Sequence, residues 1–276
     1  MGRVEGKVAF ITGLARGQGR SHAVRLAQEG ADIIGIDVCA DIETVPYRGA
    51  TADDLAETVR QVEALGRRIC VAHADVRDFD SVKTALDQGV EKLGRLDIVV
   101  ANAGIVSSGM ADALSEHQWT EMIDVDLSGV WRTCKAAIPH LLAGDRGGSI
   151  VITSSGAGLK AYPNSAHYVS AKHGLVGLMR TLALELAPNF IRVNTIHPTN
   201  VNTDMIQNDA SYRLFCPDLK DPTREDFLKR AVNMNALPIP WIESVDVSNA
   251  LLFLVSDDAR YITGAALPVD AGVSIK

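Results

Sequence analysis

The sequence predicts one doubly wound α/β domain built on a parallel sheet of about seven strands. Three observations carry that reading. Short, unbroken apolar runs alternate with longer segments of helical period along the whole chain. The runs lack polar alternation, as expected of strands covered on both faces. No internal repeat, low-complexity tract or linker breaks the pattern, so residues 1–276 read as one domain.

The elements follow in order. Lys7–Thr12 (KVAFIT) is the first strand, and a helix over about Gln18–Glu29 stops at Gly30. Ala31–Asp37 (ADIIGID) is the second strand. Thirteen residues without helical period or strand alternation follow, Cys39–Thr51 (CADIETVPYRGAT). Thr51-x-x-Asp54 has the spacing of a capping box and opens a helix that runs to about Leu65. Ile69–Ala74 is the third strand, and a helix spans about Ser81–Leu93. Leu96–Ala101 (LDIVVA) is the fourth strand. Ser115-x-x-Gln118 caps a long helical region ending near Leu142. Ser149–Thr153 is the fifth strand, and a helix over Ser165–Leu186 ends before Pro188. Ile191–Ile196 is the sixth strand. Helices near Arg224–Asn235 and Val245–Leu254 precede a seventh strand at Ala265–Val269.

Composition narrows the function. With 47% apolar and 22% charged residues the chain suits a soluble globule, and no apolar run reaches the length of a membrane span. A net charge of −7 argues against nucleic acid or an anionic membrane as partner. The N-terminus lacks a signal-peptide layout, so a cytoplasmic protein is expected. Cys39, Cys70, Cys134 and Cys216 are scattered, which predicts reduced, buried thiols rather than disulfides or a metal site.

In a doubly wound sheet ligands sit beyond the carboxyl ends of the strands, so the residues just after each strand carry the information. After the first strand comes Thr12-Gly13-Leu14-Ala15-Arg16-Gly17-Gln18-Gly19. Glycines there let the backbone turn tightly and approach a pyrophosphate at the next helix's N-terminus. Asp37 ends the second strand, eighteen residues after Gly19, where a carboxylate accepts from ribose hydroxyls and repels a 2′-phosphate. That favours NAD. Arg16 and Arg20 pull the other way, toward NADP, but a fixed carboxylate at the ribose penalises the extra phosphate directly. Asp75-Val76 and Asn102-Ala103-Gly104 follow the third and fourth strands on the same edge.

After the fifth strand stand Ser154 and Ser155. Tyr168 lies thirteen residues beyond Ser155, and Lys172 four beyond that, on one face of a helix. A phenol ionises near pH 10, too high for a good base at neutrality, and a neighbouring ammonium favours its phenolate. A tyrosine so placed becomes a usable general acid/base. Alone, such a pair is more often a buried Tyr and a surface Lys. The serine, the Gly-rich start and Asn102-Ala103-Gly104 together make chance a poor explanation.

On these motifs the chain resembles the short-chain dehydrogenase/reductase family over nearly its whole length, with the single-domain Rossmann-type fold. Thr12–Gly19 matches its T-G-x-x-x-G-x-G pattern. Asn102-Ala103-Gly104 matches its N-A-G signature, with Ala101 where another Asn is common. Ser155, Tyr168 and Lys172 match its catalytic Ser, Tyr and Lys. The resemblance implies that Asp75 and Val76 hold adenine, and that Pro198, Val201 and Thr203 hold the nicotinamide end. It also implies a homotetramer. One position departs: in MIDVDLSGVW (Met122–Trp131), Asp126 stands where the family has a catalytic Asn that bends the helix and holds a proton-relay water. Asp keeps the shape but only accepts hydrogen bonds and can carry charge.

The thirteen residues after Asp37 lengthen the Asp37-to-Asp75 interval to 38 positions, about a dozen beyond simple members of the family. With TGLARGQGRSHA and IHPTNVNTDM, this insertion resembles the mycofactocin-coupled, carveol-dehydrogenase-like subgroup. The resemblance implies NAD retained through turnover and electrons passed to a peptide-derived redox carrier. An insertion folded over the adenosine, with Val45, Pro46 and Tyr47 as apolar contacts, slows cofactor release. The expected activity is NAD-dependent oxidation of a small apolar secondary alcohol. Tyr168 acts as base, Ser155 holds the oxygen, and Lys172 favours the phenolate and binds the nicotinamide ribose. A lid at 204–235, bearing Met205, Ile206, Leu214, Phe215 and Met234, supplies an apolar pocket. The rival readings are a ketoreductase using free NADPH and a non-catalytic dinucleotide-binding scaffold or redox sensor.

Overall fold

The computed structural model describes residues 2–276. Seven parallel strands form one sheet in the order β3-β2-β1-β4-β5-β6-β7. They are β1 (Val8–Thr12), β2 (Asp32–Asp37), β3 (Ile69–His73), β4 (Ile98–Ala101), β5 (Gly148–Thr153), β6 (Ile191–Pro198) and β7 (Ala266–Val269). Strand order reverses between β1 and β4, which opens the crevice where such folds hold ligands. In register, Ala9 pairs with Ile98 on one side and Ile33 on the other.

The unbroken apolar strands separate two cores. Phe10, Ile34, Val99 and Ile150 point to one face; Ile11, Ile33, Val100 and Val151 point to the other. Helices cover both faces, and each such buried side chain contributes about 1.5–3 kcal/mol. The first core packs under α3 (Phe79–Leu93), α5 (Gly129–Gly144) and α6 (Ala166–Leu186). The second packs under α1 (Gly17–Gln28), α2 (Ala52–Glu63) and α9 (Ser244–Val255).

Four expectations change. The helix capped by Ser115 is not continuous: α4 (Glu116–Ile123) passes into a π-helical turn at Asp124–Ser128 before α5 begins. A short helix missing from the sequence reading, α7 (Asp209–Phe215), starts at an Asn208 cap. The next helix, α8, ends early, spanning Arg224–Ala231. Cys134 and Cys216 are buried thiols as expected, but Cys39 and Cys70 are only half-buried. No helix among the described residues is long and apolar enough to cross a membrane, and no cluster of metal-ligating side chains occurs among them.

The capping box of α2 forms as its spacing predicts. Thr51 Oγ1 accepts from Asp54 N at 3.2 Å, and the Asp54 carboxylate accepts from Thr51 N at 2.9 Å. It fixes where the chain re-enters regular structure after Cys39–Thr51. Thr51→Ala is expected to cost about 1 kcal/mol, read as a lower urea midpoint with the slope unchanged.

Candidate active site

A cavity of about 410 Å³ opens at the point where strand order reverses. On one side lies the loop from β1 into α1, with Gly13, Arg16, Gly17, Gln18 and Gly19. A Cβ on Gly19 would sit 1.9 Å from the Gly13 carbonyl oxygen, and one on Gly13 would sit 2.9 Å from Ala103 Cα. Both positions therefore require glycine. Gln18 turns a buried side-chain oxygen, without a protein partner, into this lining. A glycine cradle at a helix N-terminus with an unpaired polar atom fits a dinucleotide pyrophosphate.

Asp37, Asp75, Val76, Asn102, Ala103, Gly104 and Thr203 also line the cavity. The Asp37 carboxylate is held by two backbone amides, Ala15 at 2.9 Å and Cys39 at 3.1 Å. Both arginines that argued for NADP line the cavity, and both already hold protein partners. Arg16 pairs with Asp204 at 2.7 Å and also donates to the Arg48 carbonyl. Arg20 donates to the Ala15 carbonyl and to Thr58 Oγ1 at 2.9 Å. Burial raises the Asp75 pKa, but hydrogen bonds from Arg77 outweigh it and hold the carboxyl below the usual range. Pro198 and Val201 do not line the cavity. Val201 is buried in the second apolar core, bridged to Ile242, because the chain turns inward there before Thr203.

The segment Cys39–Thr51 forms one wall through Ala40, Ile42, Val45, Tyr47, Gly49 and Ala50. Pro46 is not part of it. Side chains rather than a ladder hold the segment. Thr44 Oγ1 donates to the buried Glu121, which also receives Arg77 Nη1 at 2.6 Å. Tyr47 Oη accepts from Val106 N at 3.2 Å.

Beyond Gly104 lies a buried ion pair. Lys172 Nζ is 3.0 Å from Asp126 Oδ2, and both side chains are almost wholly covered. The π-helical turn aims Asp126 inward, and its Oδ1 accepts from Ile105 N at 2.8 Å. Single π turns recur at functional sites. Lys172 also donates to the Thr153 carbonyl at 3.3 Å and lies 5.4 Å from the centre of the Tyr168 ring. Burial opposes both charges, raising Asp126 and lowering Lys172. At Lys172 the attraction of Asp126 wins, and its pKa stands above the ordinary lysine value. Gly104 joins this pair to the cavity: a Cβ there would lie 3.2 Å from Asp126 Oδ2 and 3.4 Å from Lys172 Nζ.

The two serines after β5 separate. Ser154 is buried, and its Oγ donates to the Lys172 carbonyl at 3.1 Å. Ser155 opens a short turn, its Oγ accepting from Ala157 N. Sequence reasoning missed His197, which fixes this turn. Its Nδ1 donates to the Ser155 carbonyl at 2.7 Å, so its Nε2 accepts from Thr195 Oγ1 at 2.8 Å. The available signal was a histidine inside an apolar strand. Of the five apolar lid residues, only Met205 lines the cavity. Ile206 and Phe215 pack instead with Tyr212, Phe227 and Trp241.

A family model described as enoyl-(acyl carrier protein) reductase matches residues 13–274. The chain belongs to the short-chain dehydrogenase/reductase family. It is 62% identical to (−)-trans-carveol dehydrogenase of Rhodococcus erythropolis, with 100% of each chain covered. A crystal structure of carveol dehydrogenase from Mycobacterium avium in complex with NAD superposes with a TM-score of 0.99 at 57% identity, covering 100% of both chains. A Mycobacterium paratuberculosis short-chain dehydrogenase bound to NAD has a TM-score of 0.91 at 43% identity, also covering 100% of both.

Gly19→Ala is expected to abolish NAD binding, measured by titration calorimetry, because its methyl would fall on the Gly13 carbonyl.

Proposed function

We propose that this protein is an NAD-dependent alcohol dehydrogenase that oxidises a small apolar secondary alcohol of carveol-like type to its ketone. The observation that carries the reading is the continuity from the glycine-cradled cavity, through Gly104, to the Asp126–Lys172 pair beside Tyr168. The relatives that bind NAD and act on carveol support the same reading.

The Gly13–Gly19 loop would hold the pyrophosphate, Asp37 the adenosine ribose, and Asp75 with Val76 the adenine edge. Asn102, Ala103, Gly104 and Thr203 would line the path to the nicotinamide, with Pro198 and Val201 contributing backbone. Bound NAD would supply the hydride acceptor. Tyr168 takes the proton from the substrate hydroxyl, and the Ser155 hydroxyl holds that oxygen in place. The Lys172 ammonium stabilises the deprotonated Tyr168 and reaches the nicotinamide ribose. Asp126 keeps that lysine charged although it is buried. The Asp37 carboxylate on the cavity wall would repel a 2′-phosphate, and Arg16 is already paired with Asp204, which favours NAD over NADP.

Cys39–Thr51 covers the adenosine side and retains the cofactor, so the electrons leave through a redox carrier of the mycofactocin type. Residues 204–235 act as the substrate lid, and the active enzyme is a cytoplasmic homotetramer. Protein purified without added cofactor is expected to release near-stoichiometric NAD(H) on denaturation. Before denaturation this NAD(H) does not exchange with labelled NAD, and turnover needs an artificial electron acceptor. Empty protein that turns over freely with added NAD would remove the retention reading and leave the dehydrogenase.

Tyr168→Phe is expected to lower kcat by about a hundredfold or more with the fold intact. Undiminished turnover would refute the mechanism. Asp126→Asn tests the lysine. Its raised pKa keeps Lys172 charged to higher pH; without Asp126 the opposing effect of burial is offset only by Tyr168, and the ammonium is lost at lower pH. The alkaline limb of the kcat profile therefore moves to lower pH.

A further inference from the structure

The polar end of Tyr47 does something that a cofactor cover does not need. Its half-buried ring forms part of the cavity wall, where the aromatic surface alone would serve to exclude water. Its hydroxyl, however, accepts from the amide of Val106 at 3.2 Å. The amide one residue earlier, Ile105, donates to Asp126 Oδ1 at 2.8 Å. The other oxygen of that carboxylate is 3.0 Å from Lys172 Nζ. Two successive amides are thus held from opposite directions. One is held by the segment after β2, the other by the carboxylate that pairs with the active-site lysine.

We propose that Cys39–Thr51 is part of the catalytic apparatus as well as a cover. Tyr47 is a positioning residue that fixes the register of Ile105 and Val106, and through them the placement of Asp126 against Lys172. This rests on the Ser155–Tyr168–Lys172 reading of the site.

The link between the two amides is one peptide long, and the Ile105 amide is bonded directly to the carboxylate at 2.8 Å. A displacement of residues 105–106 therefore changes that bond. Removing the Tyr47 hydroxyl leaves the half-buried Val106 amide without this acceptor and frees residues 105–106 to shift. The charges that face the site come from four elements. Asp126 faces Lys172 from the π-helical turn, Tyr168 from α6 and His197 from β6. Tyr47 faces Asp126 and Tyr168 from the segment itself. Burial pushes the Tyr47 phenol above its ordinary value, so it acts as a neutral hydrogen-bonding group.

Tyr47→Phe keeps the ring and deletes the hydroxyl. The full chain is assayed with (−)-trans-carveol and an artificial electron acceptor, with NAD at saturation. Expected are unchanged NAD content, KM within about twofold, and kcat lower by about fivefold, the worth of one hydrogen bond. The alkaline limb should move to lower pH, in the direction of Asp126→Asn. Combining the two changes should give less than the sum of their effects. Unchanged kcat and pH profile in Tyr47→Phe overturn the proposal. So does a deficit that appears only when no NAD is added, which would make Tyr47 a cover alone. Tyr168→Phe, run alongside, separates the two readings: its undiminished activity would sink the general-base assignment only. Amide hydrogen exchange then still reads the coupling without turnover. Faster exchange over both 104–107 and 124–128 in Tyr47→Phe supports it, and unchanged exchange over 124–128 overturns it.

Discussion

The hydroxyl of Thr12 ties the two halves of the sheet together where strand order reverses. It accepts from the amides of Asn102 and Ala103, both at 3.1 Å, while the Asn102 side chain donates back to the Thr12 carbonyl at 3.1 Å. Without that tie, the ends of β1 and β4 would be free to splay, since nothing of the ladder continues past them. With it, the glycine loop and the Asn102–Gly104 turn face each other at a fixed spacing. Each feature of the site builds outward from this join: the cradle on one side, and on the other the turn that leads to the buried ion pair.

Charge is placed inside this molecule with little left to solvent to correct. Asp126 and Lys172 are both removed from water, an arrangement that is costly unless each oxygen and proton finds a partner. Here Ile105 N donates to Oδ1 and Lys172 donates to the Thr153 carbonyl, while Oδ2 has the ammonium at 3.0 Å as an ion pair but no hydrogen bond. A second chain of charge runs beside the cavity, from Asp75 through Arg77 to Glu121 and on to Thr44. The two networks share no residue, yet both end on Cys39–Thr51, through Thr44 and through Tyr47. That segment has no regular structure, and its shape is set by which side chains receive it.

What was legible in the sequence was whatever depends on local chemistry. Continuous apolar runs gave the strands, since burial on both faces removes alternation. Thr51-x-x-Asp54 gave the start of α2, and glycine spacing gave the cradle. The misses share a different origin. The π-helical turn has helical composition, and only its packing reveals the extra residue. Val201 reads like a residue whose side chain faces a ligand, but that side chain enters the second core. Ile206 and Phe215 are apolar, yet they pack against Tyr212, Phe227 and Ala231 and do not line the cavity. His197 showed its identity but not its partners, which come from Ser155 in another strand's turn and from Thr195 two residues away. Periodicity says that a residue is buried; it does not say against what.

The π-helical turn also sets a rule for how this protein can change over evolutionary time. An α-helix advances about 100° per residue, so one residue more or fewer in Asp124–Ser128 would rotate everything beyond it relative to α4. Deleting one would restore a continuous helix and swing Asp126 away from Lys172, although both helical halves and the sheet could remain. The length of that turn is therefore fixed by chemistry rather than by the fold. Cys39–Thr51 is constrained differently. It leaves one strand and re-enters a capped helix, so the register of the sheet does not depend on its length. Its length is answerable only to the contacts of Thr44 and Tyr47.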